Sequence, residues 1–154
     1  MAKSEPILFD QYLVLGIPII DKQHANLVRM VNNLYLACQK SRETTNQQFI
    51  EAVHESVDYV RYHFSTEEKL MLLLSYPEFS VHKKKHGDFI WEILTISKQF
   101  EDGEKFVPKK FVFFLCDWIK NHIGDTDKLF AEYFMTMKKD GKLNTILAWE
   151  PKVR

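Results

Sequence analysis

The stretch His82-Lys83-Lys84-Lys85-His86 puts two histidines four positions apart in the chain. At about 100° per residue, positions i and i+4 lie on the same face of an α-helix. Four large apolar side chains are expected on that face: Phe79, Phe89, Ile90 and Ile93. The pattern therefore predicts a helix with two histidines on its buried face.

Three other amphipathic stretches repeat this arrangement. His24 shares a face with Leu27 and Val31, and His122 continues a stripe that contains Trp118. His63 and Glu67 are again four positions apart, in line with the apolar positions Phe49, Val53, Val60, Leu70, Met71 and Leu74. Each predicted helix thus carries at least one histidine toward a shared core.

The boundaries of the first two helices follow from capping signals. Asp21 is the expected N-cap of the first helix. The polar break at residues 40–46 leads to Thr45-x-x-Gln48, which matches a capping box for a second helix that reaches about Leu74.

Proline and glycine set the later boundaries. Pro77 separates the second helix from the third, which ends at Asp102-Gly103, and Pro108 suits the first turn of the fourth. Gly124 is expected to interrupt the fourth helix, and Asp125 to cap a last short helix that reaches Lys139.

These elements predict an all-α fold, an antiparallel up-down-up-down four-helix bundle in a single domain, 1–154. We expect an N-terminal arm at 1–20 and the bundle at about 21–123. A short C-terminal helix at about 125–139 and a tail at 140–154 complete the chain.

Composition excludes several classes of protein. The formal net charge is zero, so neither nucleic acid nor an anionic membrane surface is an expected partner. Gly16 and Pro18 interrupt the N-terminal apolar run, and no run approaches the roughly 20 residues that cross a bilayer. The sequence favours a soluble, cytoplasmic protein in which Cys38 and Cys116 are free thiols.

The inward histidines form a metal-binding set. His54 is placed with the solvent-facing residues, nine positions before His63, which leaves five inward histidines and the carboxylate of Glu67. Asp127 is the expected second carboxylate, and Asp125 competes for that role. A tetrahedral zinc ion would leave several of these groups unused, so the count indicates two metal ions.

The segments that carry these residues resemble the hemerythrin family, particularly its single-domain bacterial branch. They occur in the family's order and spacing from about Phe9 to Met137, although the family often has tryptophan near the position of Phe9. The four segments are Ile20–His24, His63–Glu68, His82–His86 and His122–Asp127.

The resemblance implies a function and a role for each residue. His82, His86 and His122 would bind one iron and His24 and His63 the other, with Glu67, Asp127 and an oxo or hydroxo group as bridges. One open position, on the iron with two histidines, would bind dioxygen reversibly. The apolar residues next to ligands that resemble the family's pocket are Leu27, Phe64 and Ile123.

Several alternatives stay open. The protein could store, deliver or scavenge oxygen, with an oxygen-consuming enzyme as a partner, or it could sense oxygen or nitric oxide through a partner chain. A di-iron oxidase or peroxidase is the enzymatic alternative, but the paired Glu-x-x-His motifs typical of such bundles are missing. The simplest alternative is a metal-free bundle in which the core histidines are hydrogen-bonded.

Overall fold

The computed structural model describes residues 13–143, and within this range it contains helices and no strand. The elements are α1 (Pro18–Ala37), α2 (Arg42–Tyr59), the π-helix π1 (Val60–Phe64), α3 (Ser65–Leu73), α4 (Phe79–Glu101), α5 (Val107–Trp118), the π-helix π2 (Ile119–Asp127) and α6 (Lys128–Lys139). Residues 1–12 of the predicted arm, including Phe9, and residues 144–154 of the predicted tail lie outside the described residues.

The elements form four long rods. The first is α1, the second runs through α2, π1 and α3, the third is α4, and the fourth runs through α5, π2 and α6. α1 packs against α2 and α5, while α4 packs against α2, α3 and α5. The predicted all-α bundle with up-down-up-down order is confirmed.

The first rod begins earlier than the sequence predicts. Pro18 occupies the first turn after an extended Ile17 N-cap, because proline has a fixed φ and no N–H to satisfy there. Asp21 is therefore not an N-cap, and the prediction was wrong. Its carboxylate instead accepts hydrogen bonds from the backbone N–H groups of Leu15 and Gly16, at 2.8 and 3.0 Å.

The second rod also begins earlier than predicted, at Arg42. Ser41 is the N-cap, in extended conformation, and its side-chain oxygen accepts a hydrogen bond from the Thr44 N–H at 3.2 Å. Thr45 already lies within the helix, where its hydroxyl contacts the carbonyl oxygens of Ala37 and Ser41. The predicted capping box at Thr45 is therefore wrong.

The fourth rod begins as predicted but is not interrupted by Gly124. Pro108 lies in the first turn of α5, and the N-cap of this helix, Phe106, has a left-handed backbone conformation. Helical structure then continues through Gly124 as π2 and on to Lys139 as α6. The predicted break is wrong. The π-helix has one more residue between hydrogen-bonded partners than an α-helix has, so the chain stays helical through Gly124.

Two apolar clusters form the core. The larger contains Leu27, Leu34, Phe111 and Leu115, and the smaller packs Ile20, Leu70 and Met71 around the first turn of α6. Ile90, predicted on the buried face of the third rod, is exposed, whereas Phe89 and Ile93 are buried. Cys38 and Cys116 are free thiols, as expected.

Within residues 13–143, no helix is both long enough and apolar enough to span a bilayer.

Candidate metal centre

The seven residues predicted as metal ligands come together where the two apolar clusters meet. The ring of His86 stacks on Phe64 of the larger cluster, and the ring of His82 contacts Phe130 of the smaller one. Every side chain of the set is buried, with relative exposures of 0 to 3% for His24, His63, Glu67, His82, His86, His122 and Asp127. All four rods contribute.

The two π-helical segments put three of these residues in place. His63 lies in π1, and His122 and Asp127 lie in π2. Hydrogen bonds of a π-helix join residues five apart, so His122 and Asp127 lie about one turn from each other on one face. The His122 Nε2 and Asp127 Oδ1 atoms are 2.9 Å apart. Asp125, the competing carboxylate, is exposed.

One group of side chains contains three histidines. Nε2 of His82 and Nε2 of His86 each lie 3.2 Å from Oε2 of Glu67. Nε2 of His82 also lies 3.0 Å from Oδ1 of Asp127, the same oxygen that His122 approaches. These five residues form one cluster whose ligand atoms could surround a metal ion.

A second group contains two histidines and the same two carboxylates. His24 Nε2 lies 2.9 Å from Oδ2 of Asp127, and His63 Nε2 lies 3.6 Å from that oxygen and 3.5 Å from Oε2 of Glu67. Asp127 therefore turns one oxygen toward each group. The two groups share Glu67 and Asp127, as a pair of bridged metal positions requires.

The environment favours the charged form of both carboxylates. Burial and Asp127 raise the pKa of Glu67, but His63 and close contacts from His82 and His86 outweigh them, so the pKa lies below its ordinary value. Burial likewise raises the pKa of Asp127, and the surrounding histidines hold it well below the usual range. Two buried anions whose oxygen atoms lie within 4.8 Å of each other require compensating positive charge.

The site shifts the pKa values of two of its histidines in opposite directions. Burial lowers the pKa of His82, but its contacts with Asp127 and Glu67 outweigh burial. The pKa therefore rises above its ordinary value, to about 9. For His122, burial outweighs the attraction of Asp127, and the pKa falls below its ordinary value.

Unpaired polar atoms show that the side chains fit a metal ion. Among the described residues, Nε2 of His86, Nε2 of His122, Oε1 of Glu67 and both carboxylate oxygens of Asp127 are buried, and none of them makes a hydrogen bond, although other atoms of the site lie close to several of them. Buried polar atoms without partners are costly in a protein interior. Imidazole and carboxylate donors together suit first-row metals such as iron.

Aromatic rings flank the histidines on their outer sides. Phe64 stacks on His86 with ring centres 3.7 Å apart, Trp118 stacks on His122 at 3.8 Å, and Tyr59 stacks on His63 at 4.6 Å. Leu27, Phe64 and Ile123, the predicted apolar pocket residues, are all buried in the larger cluster.

Two polar residues that contact the histidines were not predicted as site residues. Gln23 Oε1 lies 2.9 Å from Nδ1 of His63, and Glu68 Oε1 lies 3.0 Å from Nδ1 of His86. Gln23 directly precedes the predicted ligand His24, and Glu68 directly follows the predicted ligand Glu67. This adjacency is the only feature of the sequence that points to them. His54 is exposed, as expected.

Comparison with known proteins agrees with this geometry. The sequence profile of the Hemerythrin HHE cation binding domain matches residues 15–134. The bacteriohemerythrin of Stenotrophomonas maltophilia is 32% identical over 128 residues, which cover 82% of this chain and 80% of the relative. That of Pseudomonas aeruginosa PAO1 is 35% identical over 121 residues, 79% of this chain and 76% of the relative. A hemerythrin-like protein of Naegleria gruberi is 26% identical over 122 residues, 79% and 88% of the two chains. The chain belongs to the hemerythrin family.

Proposed function

We propose that this protein binds dioxygen reversibly at a pair of non-haem iron ions. His82, His86 and His122 would hold one iron, and His24 and His63 the other. Glu67 and Asp127 would bridge the two ions, together with an oxo or hydroxo group. The protein would act as an oxygen-binding protein in the cytoplasm, for storage, delivery to an oxygen-consuming enzyme or scavenging, and not as an enzyme.

The observation that carries this proposal is the unequal division of the histidines around two shared carboxylates. Three imidazoles belong to one group and two to the other, so the second position has fewer protein ligands. A metal ion there would have room for an external ligand, whereas a metal ion at the first position would have five protein residues around it in place of four.

The side chains around the iron pair would govern what it can do. When bound, the iron ions supply the exchangeable electrons and the Lewis acidity by which dioxygen is held. The two carboxylates balance the positive charge of the metal ions in a buried site. The histidines are neutral donors, which favour highly oxidised iron less than additional carboxylates would.

The apolar surroundings would protect the iron pair from water. Leu27, Phe64 and Ile123 are buried apolar residues, with relative exposures of 0 to 3%. A site that excludes water and protons slows irreversible oxidation. We propose these three residues as the walls of the dioxygen pocket.

A cycle of gas exchange tests the proposal. The apoprotein is loaded with two equivalents of Fe²⁺ without air, dioxygen is admitted, and the gas is then removed under argon. We expect a visible absorption band that appears with dioxygen, disappears on its removal and returns in later cycles. A band that persists under argon, with catalytic oxidation of an added reductant, would contradict the proposal and favour an oxidase or peroxidase.

A further inference from the structure

The outer nitrogen atoms of two histidines have partners of different charge. Nδ1 of His86 faces the carboxylate of Glu68 at 3.0 Å, and Nδ1 of His63 faces the neutral amide of Gln23 at 2.9 Å. His86 belongs to the group with three histidines and His63 to the group with two. The charged partner, Glu68, therefore belongs to the group with three histidines, and the neutral partner, Gln23, to the group with two.

Hydrogen bonds determine which atom of Gln23 faces His63. The Thr66 hydroxyl donates its one proton to the carbonyl oxygen of Tyr62, at 2.7 Å. Thr66 Oγ1 can then only accept from Gln23, whose Nε2 lies 3.3 Å away. The amide oxygen of Gln23 therefore faces His63, and Nδ1 of His63 is the donor. Nε2 of His63 keeps its lone pair toward Asp127 and Glu67.

Glu68 fixes the orientation of His86 in the same way. Its Oε1 accepts the proton of His86 Nδ1, which leaves the lone pair of Nε2 directed at Glu67. The other carboxylate oxygen lies 3.8 Å from Nζ of Lys83, and the Glu68 side chain is 23% exposed. The carboxylate of Glu68 itself thus lies beside the His86 ring, near the protein surface.

We propose that Glu68 and Gln23 are positioning residues that give the two metal positions different donor strengths. A carboxylate that accepts the outer N–H of a ligating histidine raises the basicity of that ligand, and charged hydrogen bonds are roughly twice as strong as neutral ones. His86 becomes the stronger donor and His63 the weaker. The inference rests on the proposed iron pair and predicts that the iron held by three histidines is more easily oxidised.

Reduction potentials of the iron-loaded full chain test this proposal. Glu68→Gln should raise the potential of one iron, and Gln23→Glu should lower the potential of the other. Asp88→Asn and Asn26→Asp are the controls, because they make the same changes of charge at exposed positions on α4 and α1. Shifts no larger than those of the controls would overturn the proposal.

Binding of Fe²⁺ without air gives a readout that does not involve dioxygen. By calorimetry, Glu68→Gln should weaken one of two binding steps about 10- to 100-fold and leave the other unchanged. Equal weakening of both steps, or of neither, would overturn the proposal. Glu68→Asp keeps the charge and should lie between the parent and Glu68→Gln, and urea unfolding of each apoprotein checks that it folds.

The two proposals fail in different ways. If the potentials and affinities shift as stated but dioxygen does not bind reversibly, the proposed function is wrong and the roles of Glu68 and Gln23 stand. If dioxygen binds reversibly and neither variant differs from its control, the roles of Glu68 and Gln23 are wrong.

Discussion

Oδ1 of Asp127 lies 2.9 Å from Nε2 of His122, although the two residues are five positions apart in one helical segment. In an ideal α-helix a separation of five places side chains about 140° apart, on different faces. The wider turn of π2 brings them together. π-helical turns are rare in α-helices, and many of those that occur lie at functional sites. The position of π2 at the candidate metal centre agrees with this tendency.

This relationship predicts unequal effects at two neighbouring carboxylates. Asp127→Ala removes the side chain shared by both histidine groups, so we expect the protein to lose at least one of its two irons per chain. Asp125→Ala alters an exposed carboxylate in the same segment and should leave the iron content unchanged. Iron is measured by elemental analysis after loading and desalting. Loss of iron from Asp125→Ala alone would contradict the assignment.

The second rod offers a matched pair of histidines. His63→Ala should weaken binding of one iron, because His63 is buried beside Asp127 and His24. His54→Ala should bind both irons as the parent does, since His54 is exposed. Titration of each apoprotein with Fe²⁺ in the absence of air measures the number of sites. Equal losses in the two variants would show that the site is assembled differently.

Stacking on a histidine should distinguish two buried phenylalanines. Phe64→Ala and Phe111→Ala each remove a large side chain from the larger apolar cluster and should lower the free energy of unfolding by about 3–5 kcal/mol. Only Phe64 stacks on His86, so only Phe64→Ala should also speed the irreversible oxidation of the iron-loaded protein. Urea unfolding and the decay of the dioxygen-dependent band measure the two effects. Identical decay rates would exclude a protective role for Phe64.

The N-cap of the second rod can be tested in the apoprotein. Ser41→Ala removes the side-chain acceptor of the Thr44 N–H and should cost about 0.5–2 kcal/mol of unfolding free energy. Gln48→Ala should change it by less than about 0.5 kcal/mol, because Gln48 is not part of a cap. If urea unfolding showed a greater loss of stability for Gln48→Ala than for Ser41→Ala, the result would support the capping box predicted at Thr45.

The two thiols should react slowly. Burial raises the pKa of Cys38 and of Cys116, so at pH 8 a smaller fraction of each is the nucleophilic thiolate than in a free cysteine. We expect alkylation by iodoacetamide to be slower than that of glutathione and to accelerate as the pH rises. Mass spectrometry after timed quenching measures the rates, and a rate equal to that of glutathione would contradict this expectation.

Helical periodicity predicted most of the fold and the inward histidines. His24, His82 and His86 share faces with apolar residues at three- and four-residue intervals, and a regular helix keeps that relationship visible in the sequence. Exposure of His54 followed from the same count. The boundaries at Asp21 and Thr45 were less predictable, because several residues near each helix start can serve as caps.

Other features depend on contacts between rods or on irregular turns. The 100° rule gives no sign of a π-helical turn, so the sequence predicted a break at Gly124, where the helix in fact continues. Gln23 and Glu68 contact histidines 40 and 18 positions away, and such pairs have no local pattern. Only the packing of the rods reveals them.

We propose that all four rods contribute ligands to two iron positions that share Glu67 and Asp127. Anomalous scattering at the iron edge, measured on crystals of the iron-loaded protein, tests it most directly. We predict two peaks, both beside Glu67 and Asp127, one within reach of His82, His86 and His122 and the other within reach of His24 and His63. A single peak, or a peak beside Asp125 in place of Asp127, would contradict this arrangement of ligands.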